Sequence, residues 1–457
     1  SHTVMTKGEN GEPIQSTGTA FANIGVIVID DATKKIESNS LFEIKEDTAK
    51  DATVAAAAQK IIDRIDKEYG AVFAKSEVVL NGAKAPNGNR DSETNNGDLI
   101  TDAMVWKILQ DKESLTVDAD HVVAVTNGGG IRKAINPGDV TKKNINEVLP
   151  FGNTVVTIYI TGAELLEALE ASTYCTPDAI GGFPQVSGIN YTISTAVAYD
   201  ANAETYPAST YYGPKSINRV TINSINGKEF KADDTYAVIT NDFCGGGGDT
   251  YYAFAAATAK FDTGIPLDEV VMEYITAELK GVIGKQYAAP QGRILMNPFA
   301  DVKASSWFGK YVIDLYNDGI INGTSATTYA PNNTLTWAAA LKLLLVSNGD
   351  LKAADATGAD WSKNAIAKAA ELGLVAADLD GAKAISRLEF CQVAAKLNKL
   401  AESKTESKFT DCTDGYVMAL VDAKVISGMT ETTFEPAASL TRAQIAKILY
   451  QLTLIEK

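Results

Sequence analysis

Residues 235–252 read TYAVITNDFCGGGGDTYY, a strand-like apolar segment that runs directly into four consecutive glycines. β-Branched and aromatic residues favour strands, whereas glycine permits backbone conformations that other residues avoid. Three roles are compatible with such a glycine run: a phosphate cradle, a hinge, or a tight turn that lets flanking side chains converge on a ligand.

A phosphate-binding loop does not fit this stretch. Such loops have the pattern GxxxxGK[ST], in which a lysine approaches the phosphates. No lysine follows the glycines here, and Asp249 would repel a phosphate. A glycine turn that directs Phe243 and Asp249 into one cleft fits the residues better.

The length and charge of the chain limit the possible classes of protein. A chain of 457 residues is expected to form about two to four domains. Its 57 acidic and 41 basic residues give a formal net charge of −16, which argues against binding to a nucleic-acid polymer. No apolar run reaches the ~18 residues of a membrane span.

Histidine and cysteine usage argues against a metal site completed within this chain. The two histidines, His2 and His121, are too few for a histidine-rich site. The four cysteines have no CxxC spacing, so they form neither a zinc ribbon nor a disulfide framework. We expect them to be small buried residues.

The first two thirds of the chain predict a mixed α/β architecture. Residues 1–45 predict short strands and turns, and residues 46–76 predict a connecting helix packed on its neighbours. Residues 77–297 alternate between strands and helices. In that region HVVAVTNGG (121–129) predicts a buried strand, and RVTINSINGKEF (219–230) predicts a hairpin with Asn-Gly at its turn.

The remaining residues, 298–457, predict an all-helical repeat domain. Each copy has an aromatic residue that opens a first helix and a hydroxyl residue that caps a second helix. The three copies align at about residues 298–347, 355–400 and 408–457. The expected caps are Thr336, Ser386 and Thr441.

Several residues at predicted turns can contact a ligand. TNGGGIR follows a predicted strand and offers Asn127 and Arg132 as hydrogen-bond donors, although a simple strand-end turn is equally compatible. Arg90 stands just before a predicted helix, where it can help to bind an anion or merely belong to the helix cap. Phe151, in LPFGNT, can stack on a ligand with Phe243 if the fold brings the two rings together.

Five stretches, in chain order over about residues 77–290, resemble the C-terminal domain of the 5′-nucleotidase family. They are RDSETNNGDLITDAM, VVAVTNGGGIRKAI, LPFGNTVVTIYITGAELLEALE, VSGINYTI and ITNDFCGGGGDTYYAF. The resemblance implies a mixed α/β domain that holds the nucleoside part of a nucleotide substrate.

This resemblance also implies roles for single residues. Phe151 and Phe243 correspond to the aromatic pair that sandwiches the base, and Asp249 corresponds to the carboxylate that accepts hydrogen bonds from the ribose. The residues that correspond to phosphate- or ribose-binding groups are Arg90, Asn127 and Arg132. Ser92 replaces an arginine found in some members, so the phosphate-chain length is not implied. No catalytic residue of the family maps onto this chain.

Residues 1–45 resemble the last strands of the metallophosphatase domain that precedes this domain in the family. That domain carries two divalent metal ions, and His2 corresponds to a metal-side position of its GHxH-type motif. A histidine without a role is an equally good interpretation of His2. Because the other metal ligands are not in the sequence, we expect this chain alone to bind nucleotides but to hydrolyse them poorly or not at all.

The helical repeats resemble S-layer homology domains, which attach exported bacterial proteins to secondary cell-wall polysaccharides, often through pyruvylated sugars. Arg387 and Arg442 match the arginine of a TRAE-like motif at the start of the second helix. Trp337 stands at that position in the first repeat, whose groove is therefore expected to be defective. The aromatic residues at equivalent first-helix starts, which can line grooves or pack in the core, are Trp307, Trp361 and Tyr416.

Together, the resemblances predict an extracellular, cell-wall-attached nucleotide hydrolase in which this segment supplies nucleoside recognition and anchoring. Two alternatives remain open. One is a catalytically silent surface-layer protein built from the same folds. The other is an enzyme specific for 2′,3′-cyclic phosphodiesters or UDP-sugars.

Overall fold

The computed structural model describes residues 4–198 and 214–455, and the chain divides into two units, residues 1–71 and 72–457. The described part of the second unit contains the mixed α/β domain and the helical domain predicted from the sequence. These two fold predictions are confirmed.

The first unit contains two β-hairpins followed by a helix. Its elements are β1 (Val4–Lys7), β2 (Pro13–Thr17), β3 (Asn23–Ile29), β4 (Ile36–Glu43) and α1 (Ala52–Tyr69). β1 pairs with β2 and β3 pairs with β4, both in antiparallel orientation. The hairpins are joined by side chains, since Gln15 donates to Asn39 and Asn39 donates to the Thr6 carbonyl.

Helix α1 begins at Ala52, later than the start predicted at residue 46, and its apolar residues are not covered by the hairpins of its unit. Asp51 caps the helix by accepting from the amides of Thr53 and Val54. All of α1 is described, and none of its residues is buried; Val54 is 68% exposed and Ile61 is 53% exposed. Within its own unit, the expectation that this helix packs on its neighbours is not met, because the short hairpins leave the apolar stripe open.

Residues 72–297 form the α/β domain. Its described strands are β5 (Val72–Ser76), β6 (Val122–Asn127), β7 (Gly138–Thr141), β8 (Thr154–Thr161), β9 (Pro184–Ser187), β10 (Ile189–Ser194), β11 (Val220–Ile225), β12 (Thr235–Asn241), β13 (Ala259–Pro266), β14 (Val282–Ile283) and β15 (Ile294–Asn297). Its described helices are α2 (Asn95–Leu109), α3 (Lys142–Val148), α4 (Gly162–Ser172), α5 (Asp242–Gly245), α6 (Tyr252–Ala255) and α7 (Leu267–Ala277).

The strands are arranged in one central sheet and two smaller sheets. The central sheet has the order β13-β8-β12-β6-β9, in which β12 and β6 are parallel and the other neighbours are antiparallel. The smaller sheets are β11-β10-β15 and β14-β5-β7. Although β5 precedes the domain boundary predicted at residue 77, it pairs with β7 inside the domain.

Strand β6 shows that the central sheet is covered on both faces. Successive side chains of a strand point to opposite faces, and every residue of β6 is buried. Val122 and Ala124 belong to the core that contains α2 and α7, whereas Val123 and Val125 belong to the core that contains α4. The buried strand predicted at residues 121–129 is thus confirmed.

The hairpin predicted at residues 219–230 is only partly found. Asn226 and Gly227 form its turn with positive φ angles of 48° and 75°. The segment after the turn makes a single bridge, from Lys228 to Ile225, and β11 pairs along its length with β10 instead. The predicted strand partner was wrong because β10 lies in the same hydrophobic core as β11.

In the described part of residues 298–455, the chain forms three helix pairs. They are α8 (Gly309–Asn317) with α9 (Trp337–Asn348), α10 (Trp361–Glu371) with α11 (Arg387–Leu397), and α12 (Gly415–Asp422) with α13 (Arg442–Thr453). The side chains of Thr336, Ser386 and Thr441 cap α9, α11 and α13 by accepting backbone hydrogen bonds. All three predicted caps are confirmed.

Backbone hydrogen bonds close these helix pairs into a ring. The amide at the start of each second helix donates to a carbonyl in the loop of the next pair. These bonds run from Trp337 to Lys383, from Arg387 to Ala438, and from Arg442 back to Asn333. Because one hydrophobic core also runs through all three pairs, the middle pair is as much a part of the ring as its neighbours.

Asn317 joins the ring to the α/β domain. At the end of α8, its side chain accepts from the Met296 amide and donates to the Met296 carbonyl, both at 2.9 Å. Met296 lies in β15, which pairs with β10. The last strand of the α/β domain is therefore held by a strand on one side and by the first helix of the ring on the other.

Candidate functional site

Three strand ends bring predicted site residues to one edge of the central sheet. β6 and β12 are parallel and end at Asn127 and Asn241, and β8 is antiparallel to β12, so β8 begins at the same edge. Phe151 precedes β8, separated from it by the positive-φ turn at Gly152, and Phe243 follows β12. The topology thus gathers residues that are more than a hundred positions apart in the chain.

Gly245 ends the short helix α5, and the other three glycines form a tight turn after it. Gly247 has a φ of 89°, a conformation that favours glycine. A Cβ atom at Gly248 would lie 2.5 Å from the ring of Phe243. One glycine is therefore required by the backbone conformation and the next by the close approach of an aromatic ring.

Asp249 follows this turn and is almost completely buried. It is 7% exposed, and the Asn127 amide donates to its Oδ2 at 2.7 Å. Burial raises the pKa of Asp249, while the hydrogen bond from Asn127 and the positive charge of Arg90 act in the opposite direction. The structure therefore brings three predicted site residues together: Arg90, Asn127 and Asp249.

The two predicted stacking residues are exposed. Phe151 is 62% exposed and Phe243 is 46% exposed, so both rings are available to a ligand. The Arg132 guanidinium carbon lies 5.6 Å from the centroid of the Phe151 ring, and Arg132 Nη1 donates to the Gly129 carbonyl at 3.1 Å. Arg132 is thereby placed next to Phe151.

Asn241 is a residue of this site that the sequence did not single out. It caps α5 by accepting from the Cys244 amide at 2.8 Å, and it donates to Asn127 at 3.1 Å. An asparagine before a short helix is a recognisable capping signal. The bond to Asn127 joins two distant strands, and no local pattern predicts it.

A second candidate site lies in the helical ring, where a groove of ≈ 560 Å³ has Trp307 among its lining residues. The basic residues that line this groove are Arg387, Lys408, Lys424 and Lys447. Arg387 is 7% exposed, and its guanidinium carbon lies 4.7 Å from the centroid of the Phe434 ring. It donates to the Ser427 carbonyl at 2.8 Å, and burial lowers its pKa.

Arg442 repeats this arrangement at the next junction of the ring. Its guanidinium carbon lies 4.4 Å from the centroid of the Tyr329 ring. It donates to the carbonyls of Tyr329 at 2.7 Å and Asn322 at 2.8 Å. Both predicted arginines therefore contact an aromatic ring and a loop carbonyl of the following helix pair. At the first pair, Trp337 replaces the arginine.

The three aromatic residues at the first-helix starts differ in their surroundings. Trp307 is 59% exposed and lines the groove at Arg387. Trp361 and Tyr416 are both partly buried, and Tyr416 packs against the core of the ring. Lys342 Nζ lies 5.4 Å from the centroid of the Trp361 ring, and Lys396 Nζ lies 5.1 Å from that of Tyr416. Trp307 is therefore the most accessible of the three to a bound molecule.

Within residues 4–198 and 214–455, no group of three or more His, Cys, Asp or Glu side chains is arranged to hold a metal ion. His2, the predicted metal-side residue, lies outside the described residues. His121 interacts with Asp120 and Asp234 instead of joining a metal cluster. The residues described do not fit the two metals implied by the resemblance. Across the same residues, every helix is too short or too polar to cross a membrane.

Comparison with protein families assigns both domains. The family model for the 5′-nucleotidase C-terminal domain matches residues 72–256, and the S-layer homology domain model matches residues 298–340 and 411–446. The chain contains a 5′-nucleotidase C-terminal domain and S-layer homology domains. Both predicted resemblances are confirmed. The middle helix pair lies between the two segments matched by the S-layer homology model.

Relatives of the nucleotidase domain include enzymes from bacteria and animals. The chain is 32% identical to the trifunctional nucleotide phosphoesterase protein YfkN of Bacillus subtilis (strain 168), over 63% of this chain and 18% of that protein. It is 31% identical to Protein 5NUC of Lutzomyia longipalpis, over 53% of this chain and 41% of that protein. It is 30% identical to the 5′-nucleotidase of Mus musculus, over 53% of this chain and 40% of that protein. The chain thus spans less than half of each of these relatives.

Among solved structures, the chain is similar to the 5′-nucleotidase precursor from Thermus thermophilus. The identity is 26%, with a TM-score of 0.43, over 64% of this chain and 53% of that one.

Proposed function

We propose that this chain binds the nucleoside part of a nucleotide through its α/β domain and attaches to cell-wall polysaccharide through its helical ring. The observation that carries the proposal is the edge of the central sheet. There, two exposed phenylalanines and a buried carboxylate follow or precede strand ends of a 5′-nucleotidase C-terminal domain. The protein would be a hydrolase of nucleotides, as its relatives' names suggest, and an extracellular one, as its S-layer homology domains suggest.

The base would stack on Phe151 and Phe243. Exposed aromatic rings present flat apolar surfaces. Stacking on such a ring contributes about 1–3 kcal/mol per base to the binding free energy, and any base can stack. Gly248 supports this role, because the absence of its side chain leaves room for the Phe243 ring. Neither ring has to be withdrawn from a hydrophobic core to receive a ligand.

The ribose and phosphate would bind to the polar residues beside these rings. Asp249, when ionised, accepts hydrogen bonds from the ribose hydroxyls. Arg90 acts on Asp249 through its charge, and Arg132 lies beside Phe151, so both guanidinium groups flank the proposed position of the nucleoside. Guanidinium groups suit phosphate oxygens because they donate several hydrogen bonds in one plane.

Isothermal titration calorimetry of the chain with adenosine tests nucleoside binding. Wild type and the Phe261→Ala variant, which removes another exposed phenylalanine, should bind alike. Phe243→Ala should weaken binding by about 1–3 kcal/mol, because it removes one stacking surface. An absence of binding by wild type, or equal affinities for wild type and Phe243→Ala, would reject the proposed site.

The anchoring proposal rests on the two arginine sites of the ring. Arg387 and Arg442 are each held by an aromatic ring and by a loop carbonyl, which fixes the guanidinium group before a ligand arrives. The groove at Arg387 also contains three lysines. Carboxylate-bearing sugars are the ligands that this charge favours, with Trp307 available to pack on a sugar ring.

Cosedimentation with purified bacterial cell walls tests the anchoring proposal. The Arg387→Ala and Arg442→Ala double variant should remain in the supernatant under conditions in which wild type sediments with the walls. Arg64→Ala is a matched control because Arg64 is an exposed arginine of helix α1. Equal sedimentation of the double variant and wild type would contradict the assignment of these arginines.

A further inference from the structure

A buried asparagine, Asn241, connects the end of β12 to the end of β6 and to helix α5 in the proposed nucleoside site. It is 3% exposed and bonds to residues at the end of β6 and in α5. We infer that Asn241 is a positioning residue that fixes the direction of the Asn127 amide and, through it, the orientation of Asp249. The inference deepens the proposed function, since it rests on Asp249 as the acceptor for the ribose hydroxyls.

The orientation of Asn241 follows from its contact with the backbone. The Cys244 amide can only donate, so the atom of Asn241 that it contacts at 2.8 Å must be the carbonyl oxygen, Oδ1. The Asn241 Nδ2 group therefore points the other way. It donates to Thr126 Oγ1 at 2.9 Å and to Asn127 Oδ1 at 3.1 Å.

The direction of the Asn127 amide is then determined as well. Because Asn127 Oδ1 accepts from Asn241, the nitrogen of the same amide faces Asp249, and it donates to Oδ2 at 2.7 Å. Asn127 is 6% exposed and Asp249 is 7% exposed, so water has little access to these groups. The hydrogen bonds run in a single direction from a backbone amide to a carboxylate.

This chain of hydrogen bonds favours the charged form of Asp249. Burial raises the pKa of Asp249, and the donor group of Asn127 opposes that effect. If the Asn127 amide were reversed, its oxygen would face the carboxylate and the two acceptors would repel each other. The ribose contact therefore depends on a residue that does not itself touch the nucleoside in this arrangement.

The simpler role for Asn241 is that of a helix cap which merely keeps α5 and Phe243 in place. The Asn241→Asp variant separates the two roles. An aspartate retains an oxygen that can accept from the Cys244 amide, and aspartate is as good a cap as asparagine. An aspartate has no N–H group that could donate to Asn127, so the hydrogen bond that sets the direction of the Asn127 amide is lost.

Calorimetry with adenosine and with 2′,3′-dideoxyadenosine, which lacks the two ribose hydroxyls, tests the inference. Wild type should prefer adenosine. Asn241→Asp should weaken adenosine binding about 10-fold and leave dideoxyadenosine binding within about 2-fold of wild type, because one charge-assisted interaction is disturbed and base stacking is not. The low-pH loss of adenosine binding should also move to higher pH in the variant.

Three outcomes would overturn the inference. If wild type prefers adenosine and Asn241→Asp keeps that preference, Asn241 is only a cap, while the proposed function stands. If wild type binds both ligands equally, the ribose role of Asp249 is wrong and the inference falls with it. If Asn241→Asp does not fold, Asn127→Leu removes the next donor of the chain, the Asn127 group that faces Asp249, and retention of the adenosine preference by that variant also overturns the inference.

Discussion

At the residue scale, the turn at Gly247 and Gly248 determines where Phe243 lies. Gly247 requires a positive φ, and Gly248 lies so close to the Phe243 ring that a Cβ atom would overlap with it. The glycines therefore leave the space in which the Phe243 side chain lies. They form a tight turn, in agreement with the sequence, which does not fit a phosphate-binding loop.

We predict that Gly248→Ala weakens adenosine binding by displacing the Phe243 ring. The loss should not exceed the stacking energy of about 1–3 kcal/mol. In a Phe243→Ala background, Gly248→Ala should weaken adenosine binding by at most a further ~0.5 kcal/mol, the usual limit of additivity, because the overlapping ring is absent. The four affinities form a double-mutant cycle by calorimetry, and additive losses would contradict the close contact.

Asp98 is a buried carboxylate outside the nucleoside site. Its Oδ1 has no hydrogen-bond partner within the described residues, and Arg293 Nη1 lies 3.5 Å from it. Burial, together with the negative charge of Glu93, raises the pKa of Asp98 to about 8. In the unfolded chain the group titrates near its ordinary value of 3.8.

This difference predicts that stability falls as the pH rises. Between about pH 5 and 8 the folded chain holds a proton on Asp98 that the unfolded chain has lost, so the contribution of this group declines by about 1.4 kcal/mol per pH unit. Urea unfolding of wild type across this range should show that decline. Asp98→Asn removes the titration and should flatten the profile, and identical slopes for the two proteins would contradict the raised pKa.

The candidate site could be predicted from sequence to the extent that its residues stand in recognisable motifs. Phe243 and Asp249 flank the glycine run, and Arg132 ends TNGGGIR. Asn241 could not be predicted as a link to Asn127, because that bond depends on the parallel pairing of β6 with β12. Local patterns carry no information on which distant strands become neighbours.

At the element scale, the same limit applies to strand partners and to exposed faces. The turn at Asn226 and Gly227 could be predicted from two residues, whereas the pairing of β11 with β10 is a tertiary contact. The presence of helix α1 could be predicted from its apolar periodicity, but its start could not, since it begins at Ala52 after the cap Asp51 and not at residue 46. The exposure of its apolar stripe depends on which neighbouring elements can cover the stripe. The periodicity of the sequence gives no information on that.

The helices of the ring depend on their caps. Ser386 accepts from the Glu389 amide and the Glu389 side chain accepts from the Ser386 amide, which forms a capping box at the start of α11. We predict that Ser386→Ala destabilises the ring by about 0.5–2 kcal/mol, whereas Ser386→Asn, which restores an acceptor, recovers most of this loss.

Urea unfolding followed by tryptophan fluorescence measures this effect in the ring. Three of the four tryptophans, Trp307, Trp337 and Trp361, lie in this part of the chain. Equal destabilisation by alanine and asparagine at residue 386 would show that the capping hydrogen bond contributes little.

At the scale of the whole molecule, one chain combines a 5′-nucleotidase C-terminal domain with a ring of helix pairs that contains S-layer homology domains. The repeat could be predicted from its period, but the closure of the ring could not. The bond from Arg442 to Asn333 connects the last helix pair to the first, and no repeat unit contains both residues. The basic groove at Arg387 is likewise assembled from separate helix pairs in a chain whose formal net charge is −16.

Retention of radiolabelled adenosine on cell walls that carry the bound chain tests this combined account most directly. We predict that walls loaded with wild type retain adenosine, and that walls loaded with an equal amount of Phe243→Ala retain far less. With the Arg387→Ala and Arg442→Ala double variant, both the protein and the adenosine should stay in solution. Adenosine left in solution while wild type is bound to the walls, or equal retention by Phe243→Ala, would contradict the account.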